Sequence, residues 1–115
     1  MAKLTVTHQP PRHADGRPSA VIEGFGGVLT DFLFCEAASS PGVRYTLNWL
    51  DQTIAGDGVI DWAGNVFLIT GDRDRVSVIE DEDIMGRPEH RCELPTQEFR
   101  TLLVEWAAAL ESEGW

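Results

Sequence analysis

The chain has 115 residues, 43% of them apolar and four of them Trp, and carries nineteen acidic against nine basic side chains for a formal charge of −10. That length makes one domain with a core that needs no cross-links, and the apolar content excludes a disordered chain. The acidity disfavours nucleic acid, whose phosphates would repel it, and favours a basic partner.

The first residues, Met-Ala-Lys-Leu-Thr-Val, lack the apolar run of a signal peptide, and nowhere is there a span of about 20 apolar residues. A soluble cytosolic protein without membrane contact is expected. In that compartment Cys35 and Cys92 are expected as two buried free thiols, not a disulfide. Leu4 and Val6 alternate with polar neighbours as in a short strand. "HQPPRHADGRPS", with three prolines and a glycine, is a loop and the basic end of the chain, with Lys3, Arg12 and Arg17 against Asp15. "AVIEGFGG" reads as a second strand closed by glycines. "VLTDFLFCEAASSPG" is ambiguous: Phe32 and Phe34 alternate like a strand, whereas Leu29, Phe32, Leu33 and Ala37 share a helical face. Ser39-Ser40-Pro41-Gly42 ends it on either reading.

The spacing predicts a helix over Val43 to Ala55, with Tyr45, Trp49 and Gln52 a turn apart, Leu47, Leu50 and Ile54 likewise, and Gly56 as its stop. A hairpin follows: a strand from Trp62 to Thr70, a Gly-Asp-Arg-Asp turn, and a strand from Arg75 to Ile79. In the first strand Trp62 is expected to cap the core, and Gly64-Asn65 to allow a bulge or tight bend. "MGRPEHRCELP" reads as a loop. The last element is a helix over Gln97 to Glu111, N-capped by Thr96, with Phe99, Leu102, Leu103, Trp106 and Leu110 on its buried face. Trp49 and Trp106 are expected in one core. There are no internal repeats. This order makes no repeating βαβ units, so the expected fold is α+β, a mostly antiparallel sheet packed against two amphipathic helices.

No chemical motif is complete. An EF-hand loop begun at Asp72 and Asp74 fails, because Val76 and Ser77 stand where a ligand and a glycine belong. Zinc would need clustered Cys and His, and of His8, His13, His90, Cys35 and Cys92 only His90 and Cys92 are close in sequence. Gly24, Gly26 and Gly27 lack the Lys-Ser/Thr of a Walker loop, and Leu29 stands where GxGxxG needs glycine. There is no G-x-S-x-G. The expectation is therefore no catalytic residue, no metal and no cofactor. The charge is more informative. Asp57, Asp61, Asp72, Asp74, Glu80, Asp81, Glu82 and Asp83 face only Arg73 and Arg75, a local charge of −6. Such a segment is either a solvated strand end or a face for a basic partner.

An ordered set of residues then resembles a known group. Tyr45 and Trp49-Leu50-Asp51 are followed by Gly56, Trp62-Ala63-Gly64-Asn65, the Val76 to Asp81 strand end, Leu94-Pro95-Thr96, Glu98-Phe99 and Leu103-x-x-Trp106. This pattern, over Val43 to Leu110, resembles the small acidic immunity proteins of bacterial contact-dependent growth inhibition and other polymorphic toxin systems. The resemblance implies a cytosolic protein, not an enzyme, that binds a toxin domain delivered by a neighbouring cell. Many such toxins are nucleases, often RNases, whose basic clefts an acidic protein can occlude. The eight acids above would then be toxin-binding residues. The rival expectations are a small-molecule or metal-binding module and a homo-oligomeric structural subunit.

Overall fold

Apolar residues at period 2 and at period 3.6 sort the chain into strands and helices that bury one face each. The computed structural model describes residues 3–7, 18–81 and 90–115. Its elements are β1 (Lys3–Thr7), β2 (Ser19–Glu23), a 3₁₀ turn (Phe25–Gly27), α1 (Val28–Glu36), α2 (Ser40–Ala55), β3 (Ile60–Ala63), β4 (Phe67–Gly71), β5 (Arg75–Glu80), β6 (His90–Pro95) and α3 (Thr96–Ser112). β1 and β2 form an antiparallel pair, and β3-β4-β5-β6 form an antiparallel sheet in chain order. The expected α+β class holds, with three helices among the described residues in place of two. The loop residues from His8 to Arg17, with His13, and the acids Glu82 and Asp83 lie outside the described residues.

The third helix is α1, which resolves the ambiguous segment. Val28, Leu29, Phe32 and Leu33 are all buried on one helical face, whereas Phe34, the alternate strand position, is 48% exposed. Phe32 is the hub of the aromatic core. Its ring centroid lies 5.6 Å from Phe67, 5.8 Å from Phe99 and 6.2 Å from Trp62, with edge-on geometry to Phe67 and Trp62. α1 is tied to β2 by the Ile22 amide, which donates to Thr30 Oγ1 at 3.1 Å.

α2 starts three residues earlier than the apolar stripe predicts. Ser39 caps it, accepting from the Gly42 amide at 3.4 Å, and Pro41 sits in the first turn, where its missing N–H costs nothing. Val43, Thr46, Leu47 and Leu50 are its buried stripe, with Ile54 packed against the core. The Tyr45–Trp49–Gln52 stripe faces outward instead: Tyr45 is 70% exposed, and Trp49 is half-buried at the edge of the core. Trp49 and Trp106 thus pack on the same core, as expected, but to different depths. Trp106 alone is enclosed, its Nε1 donating to the Ala37 carbonyl at 2.8 Å.

Two further corrections follow. The expected single strand from Trp62 to Thr70 is two strands. The Gly64 amide donates to the Phe67 carbonyl at 2.9 Å, and the Glu36 carboxylate accepts from the amides of Asn65 (2.9 Å) and Phe67 (3.3 Å). A Cβ on Gly64 would run into the Glu36 carboxylate and the Trp62 ring, so only glycine permits this approach. The expected loop over "MGRPEHRCELP" contains β6. Its inner positions hold only two apolar residues, Cys92 and Leu94, among charged neighbours, so the period-2 signal is short.

α3 carries the predicted face, with Phe99, Leu102, Leu103, Trp106 and Leu110 all buried. Thr96 is its first residue and not its cap. It is buried, its hydroxyl donates to the Asp72 carbonyl at 2.7 Å, and its amide donates to the Asp74 carbonyl at 3.0 Å. α2 and α3 run antiparallel, joined by Arg44–Glu111 (2.9 Å) and by the two-pronged Arg100–Asp51 pair (2.7 and 3.0 Å). Neither cysteine is in a disulfide, and Cys92 is buried as expected, whereas Cys35 is only half-buried. Burial pushes the Cys92 thiol pKa up to about 11. Among the described residues no helix is long and apolar enough to cross a membrane.

Candidate partner-binding groove and the placement of the acids

The six described acids of the eight do not form one face. Asp72 and Asp74 precede β5, Glu80 ends it and Asp81 follows it. At about 3.3 Å per residue the two pairs lie roughly 20 Å apart along the strand. Pairing fixes which neighbours each set has. Gly71 lies opposite Ile60, so Asp57, Asp61, Asp72 and Asp74 cluster at one end of the sheet. Glu80 lies opposite Phe67 and His90 at the other end.

At the first end a short loop joins α2 to β3. The Arg73 guanidinium donates to the carbonyls of Ile54 (2.8 Å) and Gly56 (2.7 Å), satisfying acceptors left over at the helix C-terminus. The same side chain packs against Gly58, which has φ +78° and where a Cβ would meet it at 2.9 Å. Asp57 Oδ1 accepts from the Val59 amide at 2.9 Å, an Asx turn that bends the chain into β3. An open groove results between the last turns of α2 and the β3 edge, lined by Trp49, Gln52, Thr53, Asp57, Val59 and Asp61. Val59 stands in the groove wall and is 61% exposed. Tyr45 lies one turn before Trp49 on the same helix.

The four acids here differ in use. The Asp72 carboxylate accepts from the amides of Asp74 (2.8 Å) and Arg75 (3.1 Å), and these two bonds, the first the stronger, hold its pKa below the usual range. Its role is to shape the β4–β5 turn. Asp57 spends one oxygen on its own loop. Asp61 and Asp74 are exposed, and no side-chain bond engages either carboxylate among the described residues.

At the second end the expected exposed acid run is corrected. Glu80 is 3% exposed, because it follows Val76 and Val78 on the inward parity of β5. Asp81 is partly buried, and its amide donates to the Val66 carbonyl at 2.8 Å. Beside Glu80 stand His90 and Asp31, whose ligand-type atoms lie with those of Glu80 within 4.8 Å of one another. Apolar spacing does not reveal this trio, because it puts His90 in a loop and Asp31 on an ambiguous segment. The signal available was parity alone: His90, Cys92 and Leu94 share the inward side of β6.

Comparison with protein-family models, with curated proteins and with solved structures finds no match.

Proposed function

We propose that the chain is a cytosolic immunity protein of a bacterial contact-dependent growth inhibition or related polymorphic toxin system. It neutralises a basic toxin domain, a nuclease of the RNase type, by stoichiometric binding that occludes the active-site cleft, and it performs no chemistry itself. The groove between α2 and β3 is the centre of its contact face. The observation that carries this reading is the combination at that groove of a half-buried Trp49, an exposed Val59 and two outward carboxylates, Asp57 and Asp61, on a chain of charge −10.

That combination suits a Lys or Arg side chain from a partner. The cation would lie against the Trp49 ring, a contact worth about 0.5–2 kcal/mol as desolvation increases, with the Asp57 and Asp61 carboxylates as counter-charges. Tyr45 and Val59 would supply the apolar area that excludes water around it. Asp74 and Arg75 sit farther along the same end and would act at the rim, where charge alters encounter rate more than affinity.

The reading expects a large secreted protein to be encoded immediately upstream, and the test is co-expression with that protein's C-terminal domain. Co-purification as a stoichiometric complex and protection of cells from that domain are expected. Asp57→Asn with Asp61→Asn should weaken the complex by about tenfold or more and flatten its dependence on salt. Absence of a complex at micromolar concentrations would overturn the immunity reading. A complex whose affinity and salt slope ignore the double substitution would move the contact face away from this groove.

A further inference from the structure

We infer that the outer edge of β3 is a pairing site for an extended basic segment of a partner protein, which joins the sheet as a further strand alongside Asp61 and Ala63. The inference deepens the reading of the α2–β3 groove as a contact face and rests on it, but it does not need the partner to be a toxin.

The β3–β4 register decides which backbone groups are free. In an antiparallel pair, residues alternate between those that bond the partner strand and those that face away from it. The Gly64 amide donates to the Phe67 carbonyl, which makes Gly64 a bonding position. Counting back along the register, Trp62 opposite Ile69 and Ile60 opposite Gly71 bond β4 as well. Asp61 and Ala63 are the alternate positions, so their N–H and C=O groups point to the outer edge. Among the described residues no strand pairs with that edge, because β3 comes first in the order β3-β4-β5-β6. Both residues are exposed. The strand itself is fixed, with Ile60 buried and Trp62 packed on the core. An incoming segment would meet donors and acceptors already in place, so the ordering cost falls on that segment alone.

Charge selects the occupant. A strand on this edge puts its residue opposite Asp61 on Asp61's face of the sheet, about 4.5–5.5 Å away between Cβ atoms. Lys or Arg there makes a favourable cross-strand pair, and Asp or Glu an unfavourable one. Asp57 and Asp61 also line the groove beside the edge, with Trp49 in its α2 wall. A second copy of this chain is disfavoured by the same geometry. In every antiparallel register that joins the outward groups of two β3 strands, the two Asp61 side chains share one face. Each chain also brings a charge of −10. Asp61 thus guards the edge against its own kind and leaves it open to a basic segment. If guarding were its whole role, no segment of either charge would dock.

The experiment follows isotope-labelled full-length protein by NMR during titration with a capped peptide of alternating Lys and Val. Two control peptides are used. One has its amides N-methylated, which keeps the charge and removes the donors, and the other alternates Glu and Val. Saturable shifts and slowed hydrogen exchange at the Asp61 and Ala63 amides are expected with the unmodified Lys–Val peptide alone, weakening as salt rises. Ala63→Pro removes an outward N–H and blocks the edge but leaves the bonds to β4 intact, since proline is tolerated on edge strands. It should weaken the Lys–Val peptide by about tenfold or more. Ala63→Lys keeps every backbone group at an exposed position and should weaken the peptide by repulsion, so it decides the case if the proline variant does not fold. No saturable binding of the Lys–Val peptide would overturn the inference. So would equal binding of its N-methylated form, or binding that the folded variants leave unaltered. A partner complex that forms but ignores Ala63→Pro would sink the edge inference and leave the immunity reading standing. Absence of any partner complex would sink the immunity reading, and the peptide titration would still decide the edge.

Discussion

At the end of the sheet where β4 turns into β5, Asp57, Asp61, Asp72 and Asp74 are all exposed and Trp49 sits half-buried at a groove. At the opposite end Glu80 is buried, Asp31 is partly buried against His90, and just past α1 the Ala37 carbonyl holds an enclosed Trp106. The same residue types, acids and tryptophans, are put to opposite uses about 20 Å apart. What differs is the covering element. α1 lies across the second end and closes it, whereas beside the groove at the first end lies the short Asp57–Val59 loop, held down by Arg73. Local charge density in the sequence therefore says little about where charge is displayed. Strand parity and the helix overhead decide it.

The largest effect that should separate the two ends comes from the tryptophans. Trp106→Ala removes a fully packed indole and orphans the Ala37 carbonyl, so it is expected to cost about 3–5 kcal/mol. Trp49→Ala removes a ring already half in solvent and should cost less than half as much. Urea unfolding of both variants measures the difference. Equal costs would mean that the groove end is as closed as the other, and the contrast would fail.

The next effect is steric. Gly64→Ala places a methyl group against the Glu36 carboxylate and the Trp62 ring at the closed end, and overpacking of this kind costs about 1–3 kcal/mol. Val59→Ala at the open groove should stay within about 0.5 kcal/mol, as exposed substitutions do. Thermal melts of the two variants sharpen the comparison: a near-neutral Gly64→Ala would show that Glu36 does not fasten α1 over the turn.

Much of the fold was legible from apolar spacing. The α2 stripe of Leu47, Leu50 and Ile54 and the full buried face of α3 follow from period 3.6. Three elements were less legible. Nothing in "VLTDFLFCEA" separates Phe32 and Phe34 until the sheet claims one of them. β6 has too few apolar residues to announce itself, and it exists because β5 offers it a free edge. Gly64 ends β3 only because Glu36, far away in sequence, supplies acceptors for the next amides. Of the site, Asp57 and Asp61 were singled out by charge, but their union with Trp49 and Val59 depends on how the α2–β3 loop folds under Arg73. The Asp31–Glu80–His90 trio needed a strand register, and no local pattern in a single chain supplies one.

The smallest expected effect tests whether acids at the surface outside the groove have work inside the fold. Asp51 lies on α2 one turn before Ala55, and its carboxylate takes both prongs of Arg100 on α3. That hydrogen-bonded contact, with the Arg100 charge adding to it and partial burial opposing, lowers the Asp51 pKa. A carboxylate whose folded pKa lies below its unfolded value, about 3.9, contributes its full stabilisation above that pH. The contribution disappears as pH falls through the folded value, because both states are then protonated. The pair is solvent-exposed, so its worth is about 0.2–1 kcal/mol. Asp51→Asn should therefore lower stability by about that amount from pH 5 to pH 8, with the gap to the unsubstituted protein closing below about pH 4. Asp61→Asn, at the groove, should leave stability within about 0.5 kcal/mol while weakening the partner complex. Urea titrations of both variants at pH 7 and at pH 3 separate the cases. If Asp61→Asn destabilises the fold as much as Asp51→Asn does, the groove acids are structural, and the display of charge at that end is incidental to its function.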